Sequence, residues 1–260
     1  MHGTRLMIEK FANIPRSEVN GMRAPLLRVG GNYQFDMAAN QLFVYDSTIT
    51  APLTNPPLWP YTLAYRMPHA CHGDKQKCPT RPAAVWEMVM NEMDRRENPE
   101  TDEETLGCAM IDSCSNIIDA KQFYDFLTYN FKRHYEQNRA PMGLFFHAAW
   151  LKNRPDFFDT LQVFIDEILE EMDDVYFVTM SDVIQWIQNP TIVNLMPQFA
   201  PWKERCQPLP KNDNRWCPTV NSCMLRSKEL PDEKNLVMQT CNRCPPNYPW
   251  VNDPTGAGFF

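Results

Sequence analysis

The stretch PMGLFFHAAWLKN, Pro141 to Asn153, decides how this chain is read. Met142 to Phe146 is an apolar run of strand length, and it ends on a single titratable ring, His147. Ala148 and Ala149 behind the ring leave open space beside it. The run lies between two helical patterns. Upstream, Asp119 is positioned to cap a helix through about His134, with Phe123, Leu127, Phe131 and Tyr135 on its inner face. Downstream, Pro155 and Asp156 start a helix carrying Leu161, Phe164, Ile165, Ile168 and Leu169. A strand flanked by helices on both sides belongs to a parallel sheet.

The same alternation extends outward over the first 190 residues. Val19 to Arg23, Phe43 to Tyr45, Cys108 to Ile111 and Val175 to Val178 read as strands. Ala83 to Glu97 reads as a helix, with Val85, Met88, Val89 and Met93 on one side, and Leu53 to Pro60 as a proline-rich loop. Ser181 is placed to cap a last helix that must stop before Pro190. Arg23, Asp46, Asp112 and His147 all follow strands, where such folds gather their chemistry. About five strands are legible, fewer than the eight or so of a closed barrel.

After residue 190 the character changes: prolines and five of the nine cysteines dominate, and periodicity fades. The expected organisation is an α/β domain over residues 1–190 and a disulfide-rich extension over 191–260 that wraps it. The formal charge is -7, with no clustered lysine and arginine, which argues against nucleic acid and anionic membrane as partners. Nine cysteines suggest an oxidising compartment, yet the opening MHGTRLMIEK has no signal-peptide core and reads as a helix entered midway. An upstream segment not present in the sequence would account for both, and for the odd cysteine count.

Five segments in order resemble the arthropod chitin deacetylases, a branch of the polysaccharide deacetylases of carbohydrate esterase family four (the NodB-like domain). They are RAPLLRVGGN (23–32), YDSTITAPLTNPPLWPY (45–61), CAMIDSCSN (108–116), GLFFHAAWL (143–151) and VYFVTMSDVIQWIQNP (175–190). The closing TCNRCPPNYPWVNDPTGAG (240–258) is similar to the carboxyl end of members without a chitin-binding module. The resemblance implies a distorted parallel (β/α) barrel, here missing its first strands. It also implies removal of acetyl groups from N-acetylglucosamine residues of chitin, with a divalent metal, zinc or a relative, as cofactor. The expected protein is secreted into a matrix such as cuticle or gut lining, is monomeric, and takes chitin or chitooligosaccharide as its partner.

By position, the family's leucine-x-x-histidine motif falls on Leu144 and His147. His147 becomes the general acid that protonates the departing amine, and Leu144 lines the pocket for the acetate methyl. Arg23 orients the catalytic base. Leu26, where the family has an aromatic, offers a backbone N–H to the oxyanion. Asp112 is favoured as the carboxylate that orients His147, with Asp46 the competitor; Trp59 and Tyr61 are candidates for stacking on sugar or for packing their loop onto the barrel.

The family's Thr-Phe-Asp-Asp run and its pair of histidines four apart do not occur in the sequence, so no metal ligands are assigned. A disulfide between Cys71 and Cys78 is preferred to a zinc site built with His69 and His72, and Cys108 and Cys114 are paired around Asp112. Cys241-Asn242-Arg243-Cys244 has redox spacing, but disulfides within the tail are the better reading. The alternative function is a chitin-binding or matrix-organising protein that keeps the barrel without catalysis.

Overall fold

A computed structural model describes residues 1–73, 75–95, 107–114, 117–203, 217–230 and 235–258. The first half is built from short strands: β1 (Gly21–Met22), β2 (Tyr45–Asp46), β3 (Thr50–Ala51), β4 (Tyr61–Thr62), β5 (Trp86–Glu87), β6 (Met90–Asn91), β7 (Met93–Asp94) and β8 (Gly107–Cys108). Two helices stand among them, α1 (His2–Ala12) and α2 (Asn32–Asn40). The second half is mainly helical: α3 (Ala120–Gln137), α4 (Ala148–Asn153), α5 (Pro155–Glu171), α6 (Met180–Gln188) and α7 (Ala200–Lys203). A hairpin of β9 (Asn221–Leu225) and β10 (Leu236–Thr240) follows. The mixture is α/β.

The central sheet has the order β1-β2-β5-β4, with β1, β2 and β5 parallel and β4 antiparallel to β5. β2–β3 and β5–β6 are two stretches of one long parallel pairing. Trp86 and Met88 donate to Val44 and Asp46, and Met90 and Glu92 donate to Ile49 and Ala51. Between those two sets the register slips by one residue. The extra residue falls at Ser47–Thr48, a bulge of the kind that re-aims side chains near functional sites.

The segment expected to be a helix from Ala83 is extended through Asp94; residues 96 and 97 lie outside the described chain. Val85, Met88, Val89 and Met93 do recur at helical spacing, but Met90 and Glu87 are equally buried. Burial on both faces is the mark of an inner parallel strand, which periodicity alone does not separate from a helix.

Two expected strands do not pair. Residues 142–146 are irregular; Phe145 C=O accepts from Ile111, but no ladder forms. Their apolar character comes from packing against the aromatic cluster of α3 and α5, where Phe123 meets Trp150 at 5.4 Å and Phe157 at 5.0 Å. Residues 175–178 are also irregular, with Tyr176, Phe177 and Val178 partly open to solvent. Strand-forming side chains are insufficient where the backbone finds no neighbouring strand. The expected strand at Cys108–Ile111 is cut to β8 and turns into a 3₁₀ turn over Ile111–Ser113.

Helix signals fare better. Asp119 accepts from Gln122 N–H at the start of α3, as expected. α6 stops before Pro190, but its cap is Thr179, not Ser181; Thr179 and Asp182 form a reciprocal capping box. The tail hairpin is held by Cys217–Cys241 and Cys223–Cys244, so Cys241 and Cys244 do not pair with each other. Cys206 lies outside the described residues. The tail returns to the start of the chain: Cys241 N–H and Thr240 Oγ1 both donate to Phe11 C=O, and Lys10 Nζ donates to Thr255 C=O.

Candidate active site

His147 begins α4 directly after the irregular apolar segment. Asp112 sits in the 3₁₀ turn after β8, clamped from both sides by the Cys108–Cys114 disulfide. Asp112 Oδ2 accepts from His147 Nδ1 at 2.6 Å and from the His147 backbone N–H at 3.0 Å. An ionised carboxylate only accepts, so the proton on this side of the ring is on Nδ1. Nε2 is then the atom that exchanges a proton with anything outside. The His147 side chain is 73% exposed and that of Asp112 11%, so the carboxylate is the fixed member of the pair. Its Oδ1 is buried without a hydrogen-bond partner among the described residues. The pair opens on a shallow hollow of about 280 Å³ lined by Leu27, Ala109, Met110, Asp112, Ser113 and His147.

Arg23 follows β1. Its Nε donates to Ser47 C=O at 2.6 Å and its second terminal nitrogen to Ser47 Oγ at 2.8 Å. Ser47 Oγ in turn donates to Met88 C=O. Thr48 Oγ1 accepts from Ala24 N–H, so the bulge holds both residues of the Arg-Ala pair. The guanidinium lies 4.5 Å from the centre of the Phe145 ring. Burial pulls Arg23 somewhat below its ordinary range, opposed by the fields of Asp46, Tyr45 and Glu87.

The structure therefore joins Asp112 to His147 and brings Arg23 to the same 145–147 segment, but Arg23 is not among the residues lining the His147 hollow. The hollow takes Leu27; Leu26 projects into solvent at 88% exposure, on a turn where both leucines have positive φ. Leu144 packs with the helical core and lines a separate, larger cavity of about 920 Å³. Trp59 lines that cavity too, stacked on Trp186 with its Nε1 donating to Asn138 C=O. Tyr61 pairs its hydroxyl with His69 Nε2 at 2.9 Å, and burial raises its pKa. Trp59 thus reaches α6 and the residue after α3, while Tyr61 stays with His69.

Asp46, weighed as a rival partner of His147, is fully buried and instead accepts from Thr48 N–H and Gln34 Nε2. Beside it stands a residue that the sequence reading passed over. Glu87, on β5, is the register partner of Asp46 on β2 and is also fully buried. Its only signal in the sequence was a lone acid inside the apolar run VWEMVM. Cys71 and Cys78 are joined as a disulfide, which leaves no zinc site with His69 and His72. Among the described residues no group of three or more His, Cys, Asp or Glu side chains could hold a metal ion.

A carboxylate-anchored imidazole facing a hollow is chemically able to pass a proton to a group bound there, and a fixed guanidinium rests against the same segment. Comparison with known proteins gives the lineage. Over all 260 residues the chain is 61% identical to "Chitin deacetylase 1" of Bombyx mori, spanning 48% of that protein. It is 32% identical to "Chitin deacetylase 8" of Bombyx mori, with 95% of this chain aligned to 61% of that one. No family model matches. The chain is thus a relative of these chitin deacetylases along its whole length, and it spans about half the length of the first of them.

Proposed function

We propose that this chain carries the proton-donating part of a metal-dependent chitin deacetylase. The observation that carries the reading is the Asp112–His147 pair, whose Nδ1 is engaged and whose Nε2 faces a hollow. In deacetylation, water adds to the acetamide carbonyl and the C–N bond breaks. The amine leaves only when its nitrogen is protonated, and His147 Nε2–H supplies that proton while Asp112 holds the ring against rotation. Acetate and a free amino sugar result. Arg23, fixed by Ser47, sets the charge on the side of the site reached through Phe145. Leu144 is read as a wall of the acetyl pocket on that side. Leu27, which lines the hollow, is read as a contact for a sugar entering it.

The metal of the family reading finds no fit among the described residues, and no step is derived through it. We read residues 1–190 as part of a distorted (β/α) barrel. The parallel β1-β2-β5 core and the site residues at strand ends support this. We read 191–260 as an extension that wraps it, supported by the bonds from the hairpin to α1. Four disulfides support secretion, and among the described residues no helix is long and apolar enough to cross a membrane. Chitin or chitooligosaccharide is the proposed substrate, taken by a monomer.

The test is His147→Ala in the full-length enzyme. Acetate release from chitooligosaccharide should fall by about 10²–10⁴-fold with chitin binding retained. Unchanged release would overturn the role given to His147, whereas chitin binding with no acetate release by the wild type would support the non-catalytic chitin-binding reading.

A further inference from the structure

Glu87 has no role in the chemistry above, yet it is a fully buried acid in the middle of the central sheet. We propose that Glu87 is held as the neutral acid and donates from Oε2 to the Asp46 carboxylate, so that one buried proton ties β5 to β2 behind Arg23. Glu87 is thereby a positioning residue for the Arg23 side of the site.

The register places the two side chains side by side, because Asp46 and Glu87 are direct partners on adjacent parallel strands. Neither is exposed. Glu87 Oε1 accepts from Ile49 N–H at 3.0 Å, but Oε2 is buried with no hydrogen-bond donor directed at it among the described residues. Asp46 is satisfied on both oxygens, by Thr48 N–H at 2.8 Å and by Gln34 Nε2 at 2.8 Å. Two ionised carboxylates so placed, out of water, repel strongly, and a single shared proton removes the conflict. It belongs on Glu87: Asp46 has more donors stabilising its charge, and Oε2 is the atom left without a partner. Burial pushes Glu87 well above the usual carboxylate range, with the Asp46 charge adding to the effect, and raises Asp46 as well.

The other charged or titratable groups facing the pair fit this assignment. Arg23 comes from the turn after β1 and gives its hydrogen bonds to Ser47, so it acts on the pair through its field and neutralises one charge, not two. Tyr61, from β4, is raised chiefly by burial, with the negative charge of the pair adding to it, and stays a neutral phenol; Tyr45, on β2, lies beside Arg23. Asp46 then completes the chain of contacts. It fixes Thr48 N–H and shares Gln34 with Thr48 Oγ1, which holds Ala24 N–H next to Arg23.

This deepens the deacetylase reading, since Arg23 belongs to the proposed site, but its test does not use acetate release. Infrared spectra of this chain at pH 7 should show a protonated-carboxyl C=O band that disappears in Glu87→Gln. In thermal unfolding from pH 5 to 9, the folded protein keeps a proton that the unfolded chain gives up. The wild type should therefore lose Tm relative to Glu87→Gln as pH rises. Hydrogen exchange at Arg23 Nε–H should be unchanged in Glu87→Gln, which keeps a neutral donor, and about tenfold faster in Glu87→Ala. If Glu87→Ala does not fold, the Gln variant decides alone. Absence of the acid band, or parallel pH profiles for wild type and Glu87→Gln, overturns the proposal. Failure of the His147 test with these results intact overturns only the deacetylase reading.

Discussion

Ser47→Ala tests whether the bulge between β2 and β3 holds Arg23. The hydroxyl makes two bonds: it accepts from Arg23 at 2.8 Å and donates to Met88 C=O at 2.8 Å. The first is charge-assisted, worth about 1.5–3 kcal/mol, and the second is neutral, worth about 0.5–1.5 kcal/mol. Not all of this is lost. Arg23 Nε keeps its bond to Ser47 C=O, and the guanidinium keeps the Phe145 ring. The freed Met88 carbonyl lies in a nearly closed environment, since Met88 is buried, and gains no new donor from an alanine methyl. A net loss of about 2–3 kcal/mol follows, or roughly 4–10 °C in Tm for a chain of this size. Differential scanning calorimetry of Ser47→Ala against Ser17→Ala reads it directly. Ser17 is exposed in the turn after α1, so its replacement should stay within about 0.5 kcal/mol of wild type. If the two variants unfold together, the bulge does not anchor Arg23.

Asp112→Asn should lower acetate release by the full-length enzyme about 10–100-fold, less than His147→Ala, because the ring survives but its orientation is no longer enforced. The double variant should be no worse than His147→Ala alone in the same assay, since the two act as a unit. His134 is buried, and its pKa is lowered to about 4 chiefly by desolvation, while Nδ1 bonds Ala140 C=O. A folded-state pKa below that of the unfolded chain means stability is complete above about pH 6.5 and is lost as pH falls toward 4. This one group can cost up to about 3 kcal/mol. Urea titrations at pH 7, 5.5 and 4.5 should therefore show a steeper acid loss for wild type than for His134→Asn, which keeps a donor near Nδ1. Cys108→Ser with Cys114→Ser opens a short loop and should cost about 2 kcal/mol of stability, read by the same urea titrations.

How much of this was legible depended on whether the signal was local. Helix caps and amphipathic faces are written within a few residues, so α3, α5 and the stop before Pro190 were readable from Asp119, Pro155 and the apolar spacing. Pairing is not local. Residues 83–94 carry an apolar pattern that fits a helix, and only the parallel neighbour at 44–51 makes them a strand. Residues 142–146 and 175–178 have strand composition without a partner strand, which no window of sequence reveals. The site divides in the same way. Asp112 was favoured over Asp46 because it closes the strand just before the histidine segment, and it is the carboxylate that reaches His147. The roles of Ser47, Thr48 and Glu87 depend on a one-residue register slip between strands some 40 residues apart in the chain, so they appear only in three dimensions.

That slip also connects the two clusters physically. Without the extra residue at Ser47–Thr48, the alternation of side chains along β2 and β3 would continue unbroken, and one of the two hydroxyls would be turned from the Arg23–Ala24 turn. With it, Ser47 grips the guanidinium and Thr48 grips the next backbone N–H. The guanidinium then rests on the Phe145 ring. Phe145 C=O in turn accepts from Ile111, the residue before Asp112, and two positions further on His147 gives both its backbone and ring N–H to Asp112. Residues 145–147 are thus tied on one side to the sheet through Arg23 and on the other to the disulfide-clamped turn. A shift of Arg23 must move Phe145 against a segment already pinned at Ile111 and Asp112. The imidazole is consequently placed by two supports that are distant in sequence, and weakening either one should be felt at the other through the same ring.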